Sequence, residues 1–219
     1  MILNLALCLV VFCAILSVTF ADPKPPVWPN EWQAEFRELS TYPLIGGMNT
    51  TGTFYYDWIN KRYRIDRANG KFDRYCGSVY WFRSTPCNQY VVGGKRYIHF
   101  PEKGYCCHCC DSVHGCGILR PDWMTFGANF TGFINSTEPN PRTIQKWEVP
   151  GLQSNFYYAT ADDASIPFQI DQMPNDFIYY NPETFQSKVV DPKVFDLPKQ
   201  CSTNTKCPLI SACTAARNI

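Results

Sequence analysis

The sequence predicts an all-β domain of antiparallel strands that is stabilised by disulfides. Between residues 53 and 65, apolar and polar side chains alternate, which is the pattern of half-buried strands. Further short runs of aromatic and β-branched residues follow at near-regular spacing, with turn-forming residues between them. An even number of cysteines lies outside an apolar leader, as in the disulfide frameworks of exported proteins.

The leader, residues 1–21, predicts a secretory signal peptide. Residues 2–20 are almost wholly apolar, and no acidic or basic residue precedes Asp22. The small residues Thr19 and Ala21 predict cleavage after Ala21. An uncleaved membrane anchor is the alternative, because the run approaches the roughly 18 residues that a span requires. No later segment is apolar enough to span a bilayer, so we expect a secreted protein without a transmembrane segment.

The composition argues against two classes of partner. The chain of 219 residues has 20 basic and 19 acidic side chains, and its net charge of +1 gives no reason to expect nucleic acid or an anionic membrane. Aromatic residues make up 16% of the chain, which is a high fraction. This surplus favours a lined cavity or an interface.

The N-terminal part contains one ambiguous segment and one clear hairpin. Residues 31–39 (EWQAEFREL) fit either a helical stripe or one face of a strand. Residues 53–59 (TFYYDWI) and 62–66 (RYRID) alternate on either side of a short polar break. This arrangement predicts a β-hairpin with one aromatic face and one polar face.

Several later segments have strand patterns. They are residues 78–83 (SVYWFR), 89–92 (QYVV), 95–100 (KRYIHF), 145–149 (QKWEV), 155–160 (NFYYAT), 166–170 and 176–180 (DFIYY). Gly93 and Gly94 predict a two-residue turn that joins the second of these segments to the third. Residues 118–133 mix apolar and turn-forming residues, and residues 189–219 are expected to be loop-like.

Ten cysteines outside the leader predict up to five disulfides. They are Cys76, Cys87, Cys106, Cys107, Cys109, Cys110, Cys116, Cys201, Cys207 and Cys213. A zinc site that combines thiolates with His108 and His114 is the alternative. Adjacent cysteines on an extended chain point to opposite sides, so they suit different bridge partners better than one metal, and some bridges should reach the C-terminal cysteines. The pairing stays open, because ten cysteines allow roughly nine hundred arrangements.

Three N-x-S/T triplets predict N-glycosylation, at Asn49, Asn129 and Asn135. Each triplet alone is weak evidence, because such triplets often arise by chance. Together with the leader they predict an exported glycoprotein.

The sequence contains none of the common catalytic motifs for which we searched. The chain has no G-x-S-x-G, no H-E-x-x-H and no glycine-rich phosphate loop. Every cysteine can pair with another, so none remains as an obvious nucleophile. We expect no enzymatic activity, no catalytic residue and no cofactor. Asp162, Asp163 and Asp171 could hold calcium, which prefers oxygen ligands, but turn formation and solvation explain these positions better and we predict no metal site.

Four stretches, taken in order, resemble the ependymin-related protein family. GTFYYDWINKRYRI resembles that family's early strand pair, and VVGGKRYIHFPEKGYCCHC is similar to its next hairpin, which runs into cysteines. KWEVPGLQSNFYYATADDASIPFQI resembles the later strands. DFIYYNPETFQSKVVDPKVFDLPKQC resembles the family's end, where a last strand leads to Asp-Pro, Phe-x-x-Pro and a cysteine. The likeness covers most of residues 51–201, and the dense cysteine cluster and the tail beyond Cys201 depart from it.

The resemblance implies a fold and a class of ligand. It implies two antiparallel sheets curled into a half-barrel or sandwich, like LolA-type lipoprotein carriers, around a deep apolar pocket for a lipid or another hydrophobic molecule. Family members are secreted or lysosomal glycoproteins, often dimeric, and are linked to calcium binding and cell-matrix adhesion. By this resemblance, residues 22–201 form an ependymin-like β domain, residues 31–39 are its first strand, and residues 202–219 are a cysteine-containing tail. Calcium is implied by the family alone, because the chain has no matching ligand motif.

We therefore expect a secreted β half-barrel that binds a hydrophobic ligand, such as a fatty acid, between its sheets. The expected lining consists of Phe54, Tyr56, Trp58, Ile98, Phe100, Trp147, Phe156, Tyr158, Ile166, Phe168 and Ile170. Disulfides are expected to clamp the open edges. The alternative is a structural or adhesion protein with a solid core, no ligand and an extracellular-matrix partner. A homodimer and a lysosomal location are further expectations from the family.

Overall fold

Eleven antiparallel strands form one continuous open sheet. The computed structural model describes residues 22–42, 46–81, 83–137, 141–151, 155–189 and 191–217. The strands are β1 (Glu31–Tyr42), β2 (Gly46–Asp57), β3 (Arg62–Arg67), β4 (Cys87–Val92), β5 (Lys95–Phe100), β6 (Tyr105–Asp111), β7 (Asn129–Ser136), β8 (Arg142–Val149), β9 (Asn155–Thr160), β10 (Pro167–Gln172) and β11 (Asp176–Tyr180). The predicted signal peptide lies outside the described residues.

The sheet curls strongly around the central strand β1. Its order is β6-β5-β4-β3-β2-β1-β11-β10-β9-β8-β7, so β2 and β9 are four positions apart. In a flat sheet, four positions span roughly 19 Å. The ring of Trp28 nevertheless lies 5.3 Å from Tyr56 on β2 and 6.2 Å from Tyr157 on β9. The predicted all-β half-barrel is confirmed, and its two layers are the two halves of one sheet.

The first two strands confirm the expectations for the N-terminal half. Residues 31–39 belong to β1, whose twelve residues pair with β2 in an unbroken register. β2 and β3 form the expected hairpin, in which Tyr56 lies opposite Tyr63. The two-residue turn after β4 is also confirmed, because Gly93 and Gly94 have φ values of 58° and 72°. Two consecutive positive φ angles are the geometry that favours glycine in tight hairpins.

The strand predicted at residues 78–83 is wrong, because a short helix, α1 (Arg74–Val79), occupies its start. Oδ1 of Asp73 accepts hydrogen bonds from the backbone N–H groups of Tyr75 at 3.1 Å and Cys76 at 2.7 Å, which caps the helix. The disulfide from Cys76 to Cys87 ties the same helix to β4. Cap and bridge together override the strand propensity of the aromatic residues that follow.

Two further elements differ from the sequence expectations. The unassigned residues 118–133 contain the start of β7, and the loop-like tail contains a second short helix, α2 (Ala212–Arg217). α1 packs against β5, and α2 packs against β6 and α1. Beneath them, Ile98 and Phe100 of β5 are buried in a core of their own with eight half-cystines and Val79. Within the described part of the chain, no helix combines the length and the apolar composition that a membrane crossing requires.

The ten cysteines form five disulfides, as the sequence predicts. The pairs are Cys76–Cys87, Cys106–Cys201, Cys107–Cys207, Cys109–Cys213 and Cys110–Cys116. Adjacent cysteines reach different partners, and three bridges tie β6 to the C-terminal tail. The alternative zinc site is wrong, because every one of these sulfurs is bonded to another sulfur.

The tail covers the edge of the sheet at β6. The backbone N–H of His108 donates to the carbonyl of Thr205 at 2.7 Å, and the N–H of Cys207 donates to the carbonyl of His108 at 3.0 Å. These bonds satisfy backbone groups that an edge strand would otherwise expose. The clamped edge therefore combines hydrogen bonds with disulfides.

The opposite edge strand, β7, carries two of the three predicted glycosylation sites. Asn129 and Asn135 are exposed on β7, and Asn49 is exposed on β2. Phe133 and Ile134 are also exposed on β7. The positions suit glycans sterically, and glycosylation remains a prediction.

Candidate ligand-binding site

The concave face of the sheet carries a wall of aromatic rings. Alternate residues of a strand face the same way, so the inner positions of neighbouring strands meet side by side. We call the following residues the aromatic wall: Trp32, Phe54, Tyr56, Tyr63, Tyr157 and Tyr180. The ring of Phe54 is 4.7 Å from Trp32, 5.9 Å from Tyr63 and 6.1 Å from Tyr180. Such ring pairs add about 0.5–1.5 kcal/mol each beyond the area that they bury.

A plug formed by Trp28 and by the loop that carries Leu119 and Met124 covers part of this wall. The indole Nε1 of Trp28 donates a hydrogen bond to the hydroxyl of Tyr157 at 2.7 Å. The hydroxyl of Tyr56 donates to the carbonyl of Leu119 at 2.7 Å. Met124 is fully buried. One half of the concave interior is therefore solid.

A cavity of about 320 Å³ remains between the plug, the aromatic wall and the start of α1. Its apolar lining consists of Trp28, Phe54, Tyr56, Tyr63, Ile65, Leu119, Ile170, Ile178 and Tyr180. Its polar lining includes Arg67, Asp73, Arg74, Tyr75, Gln89, Arg96, Gln172 and Asp176. The volume is at the lower end of the range of small-molecule pockets, about 300–1,000 Å³. The cavity is thus apolar on one side and charged on the other.

The charged side is organised around Arg67, which is only 4% exposed. Its Nε donates to Oε2 of Glu38 at 2.5 Å, and its Nη2 donates to Oε1 of Glu38 at 3.2 Å and lies 3.3 Å from Oδ2 of Asp73. Burial by itself lowers the pKa of Arg67, but the carboxylates of Asp73 and Glu38 outweigh it and the net pKa shift is upward. Arg67 is therefore charged at any physiological pH. We call Glu38, Arg67, Asp73, Gln89, Arg96 and Asp176 the charged cluster.

The carboxyl of Asp176 has a raised pKa in this cluster. Burial, followed by the negative charge of Glu38, raises the pKa of Asp176 to about 8. The hydroxyl of Ser40 donates to Oδ1 of Asp176 at 3.3 Å. At neutral pH the Asp176 carboxyl is thus mostly neutral.

Two arginine N–H groups beside the cavity have no hydrogen-bond partner within the described residues. They are Nη1 of Arg67 and Nε of Arg96, and both atoms are buried. The rest of the Arg96 guanidinium lies over the ring of Tyr75, 4.7 Å from its centre. A buried donor without an acceptor costs about 1–3 kcal/mol. The charged cluster is therefore short of acceptors.

The structure brings some of the expected lining residues together. Phe54, Tyr56 and Ile170 line the cavity. Trp58 and Trp147 belong to the same core but lie outside the lining. The structure places the other expected residues elsewhere, as follows.

Ile98 and Phe100 lie in the second core, beneath the two helices. Tyr158 and Phe168 are buried in a small separate cluster with Ile144, and Phe156 packs against it. The inward residue of β9 is Tyr157, because Tyr157 belongs to the main core and its neighbours point the other way. Ile166 precedes β10 and is half-buried.

Sequence reasoning missed the charged cluster and Trp28. β9 reads NFYYAT, which is apolar on both faces, so its pattern does not identify the inner face. In β10 the register shifts between Pro167 and Gln169, which separates Phe168 from Ile170. A signal for the charged cluster did exist: Arg67 follows Tyr63 and Ile65 at even spacing, which places a charge on the apolar face of β3.

The aspartates considered for calcium have other partners. Oδ1 of Asp163 accepts from the backbone N–H and the hydroxyl of Ser165, at 3.0 and 2.7 Å. Asp171 accepts from the hydroxyl of Tyr158 at 2.8 Å and from the amide of Gln169 at 2.6 Å. The described ranges contain no group of three or more His, Cys, Asp or Glu side chains that could hold a metal ion.

A second, larger depression lies on the outer face of the sheet. Its volume is about 680 Å³, and its outward-facing side chains come from β1, β2, β3, β4 and β11: Glu35, Arg37, Thr51, Thr53, Asp66, Asn88 and Tyr179. Phe36, Arg67 and Tyr180 also line this depression. Most of these side chains are polar, and the outer depression is more open than the inner cavity. We assign the ligand site to the inner cavity, because it combines an aromatic wall with buried charges.

Comparison with known proteins yields structural neighbours alone. No protein-family model and no curated protein sequence matches the chain. An uncharacterized conserved protein from Thermus thermophilus is 10% identical, with a TM-score of 0.48 over 80% of this chain and 89% of the other. A LolA superfamily protein from Nitrosomonas europaea is 8% identical, with a TM-score of 0.38 over 77% of this chain and 91% of the other. The functional assignment therefore rests on the cavity itself.

Proposed function

We propose that this protein binds a small hydrophobic molecule with a single chain, such as a fatty acid, in the inner cavity. The observation that carries the proposal is the cavity of about 320 Å³ between the aromatic wall and α1. Its size suits one chain rather than a lipid with several. Binding would remove each methylene group from water, which contributes about 0.8 kcal/mol per group.

The proposed role is that of a binding protein and not of an enzyme. All ten cysteines outside the leader are in disulfides, so no thiol among them remains as a nucleophile. We assign no catalytic residue and no cofactor.

Native mass spectrometry after incubation with a lipid extract tests this function. The wild-type protein should carry one acyl-chain adduct. Ile170→Trp should lose the adduct, because the larger ring fills the cavity that Ile170 lines. Phe156→Trp is the matched control on the adjacent strand: it adds a similar ring outside the cavity lining and should keep the adduct.

Circular dichroism of both variants establishes that they are folded. A wild-type protein that gains no adduct would contradict the proposal. So would an adduct that survives in folded Ile170→Trp.

The alternative function is that of a structural or adhesion protein without a ligand. It draws on the solid half of the interior, where Trp28 and Met124 are packed against the aromatic wall. A wild-type protein without an adduct would favour this alternative.

The proposal also covers the cellular compartment, glycosylation and partners of the protein. Five disulfides indicate an oxidising compartment. Entry into the secretory pathway is supported by the leader, which secreted and lysosomal proteins share, and N-glycosylation is supported by the exposed asparagines of the three triplets. A homodimer, calcium-linked cell-matrix adhesion and a matrix partner are supported by the family resemblance alone.

A further inference from the structure

We propose that the ligand is a single-chain carboxylate whose headgroup binds at the charged cluster and whose chain lies along the aromatic wall. This inference rests on the proposed function and specifies its ligand class. Three features of the cavity support it: its direction, its unmet donors and its charge.

The cavity is apolar at one end and charged at the other, because β3 runs from the aromatic wall to the charged cluster. Tyr63, Ile65 and Arg67 share the inner face of this strand, and all three line the cavity. Residues two apart are separated by roughly 7 Å along a strand. A molecule lying along β3 would therefore meet a ring, then an aliphatic side chain, then a guanidinium. This sequence of contacts suits an amphiphile with one polar end.

The second feature is the pair of guanidinium N–H groups without a partner among the described residues, which favours a ligand that accepts hydrogen bonds. Arg67 is more than nine-tenths buried, lines the cavity and has no partner for Nη1 within the described residues. Nε of Arg96, on the same cavity wall, also lacks one there. A carboxylate is a pure acceptor with two oxygens, and its hydrogen bonds to guanidinium groups are about twice as strong as neutral ones. An alcohol would supply one weaker acceptor, and an ammonium would supply none.

The balance of charge favours an anion over a neutral ligand. Three arginines line the cavity, namely Arg67, Arg74 and Arg96, and two aspartates, Asp73 and Asp176, line it with Glu38 behind them. Burial, followed by the negative charge of Glu38, raises the pKa of Asp176 to about 8, so the Asp176 carboxyl is mostly neutral at pH 6.5. The cations therefore outnumber the ionised carboxylates, and a monoanionic headgroup supplies the missing negative charge.

Calorimetry with three probes of equal chain length tests the headgroup. The probes are decanoate, 1-decanol and decyltrimethylammonium, each titrated into the wild-type mature protein at pH 6.5. Because a hydrogen bond to a charged group contributes about 1.5–3 kcal/mol, decanoate should bind at least about tenfold more tightly than decanol. Decyltrimethylammonium should bind most weakly of the three.

Arg96→Gln sharpens the test, because Arg96 is half-buried and its removal breaks no ion pair among the described residues. This variant should weaken decanoate binding about tenfold and weaken decanol binding much less, because an alcohol accepts a weaker hydrogen bond than a carboxylate. Arg142→Gln is the matched control, since Arg142 pairs with Glu183 on the surface, and it should bind both probes as the wild type does.

Equal affinities for decanoate and decanol in the wild-type protein would overturn the carboxylate proposal and leave the proposed function standing. Decanoate binding that is insensitive to Arg96→Gln would also overturn it. If none of the three probes binds, the proposed function fails as well.

Discussion

The aromatic wall and the charged cluster occupy the same concave face, yet different forces stabilise them. In the wall, ring centres lie 4.7–6.4 Å from that of Phe54, and the hydroxyls of Tyr56 and Tyr157 have hydrogen-bond partners. In the charged cluster, Arg67 pairs with Glu38 but keeps one nitrogen without a partner among the described residues. Among the described residues, the only buried polar atom of the wall without a hydrogen-bond partner is the indole Nε1 of Trp32. The charged cluster keeps two guanidinium N–H groups without a partner among these residues, and this difference supports the proposal that a ligand headgroup binds there.

The largest expected effect concerns the plug over the wall. Trp28→Ala removes a ring that is 4% exposed and that contacts Trp32, Tyr56, Trp123 and Tyr157. We expect the free energy of unfolding in urea to fall by about 3–5 kcal/mol, because the cavity left behind adds to the lost burial. The matched control is Trp81→Ala, since Trp81 is 62% exposed.

The Trp81→Ala variant should stay within about 0.5 kcal/mol of the wild type. A Trp28→Ala variant that loses less than about 1 kcal/mol would show that the plug is not part of the core, and the comparison between wall and charged cluster would then fail.

A smaller, pH-dependent effect concerns the charged cluster. Asp176→Asn removes a carboxyl whose pKa is about 8 in the folded protein. In the unfolded chain its pKa is the ordinary value of 3.8. Below about pH 4 the carboxyl is protonated in both the folded and the unfolded state, so it does not lower the free energy of unfolding. Between about pH 4 and pH 8 the unfolded chain releases the proton while the folded protein retains it, so the wild type loses stability as the pH rises, by at most about 1.4 kcal/mol per pH unit.

The groups that face Asp176 set this behaviour. They are Glu38 and Ser40 on β1, Arg67 on β3 and Asp73 before α1. The stability of Asp176→Asn relative to the wild type should therefore rise from about pH 4 to pH 8 and then level off. Urea unfolding at several pH values across this range measures the difference, and a difference that stays flat or falls would contradict the proton assigned to Asp176.

The sequence predicts the wall better than the charged cluster for a physical reason. The alternation of Phe54 and Tyr56 identifies their common face, and both residues line the cavity. The alternation fails at β9, where both faces are apolar, and at β10, where a register shift follows Pro167. Local pattern also fails at α1, whose cap and disulfide depend on contacts outside the segment.

The charged cluster depends on distant parts of the chain. Arg67 meets Glu38, which is 29 positions earlier, and Asp176 lies beside β1 only because β11 pairs with that strand. An isolated charge on an apolar face can be identified from the sequence, but its partners cannot. The same holds for Trp28, whose partner Tyr157 is 129 positions away.

A crystal structure of the mature protein with decanoate tests the central claim most directly. The account predicts the alkyl chain against Phe54 and Tyr56, with a carboxylate oxygen about 3 Å from a guanidinium nitrogen of Arg67 or Arg96, both of which line the cavity. Decanoate bound in the outer depression, or bound in the inner cavity with its carboxylate away from both arginines, would contradict it.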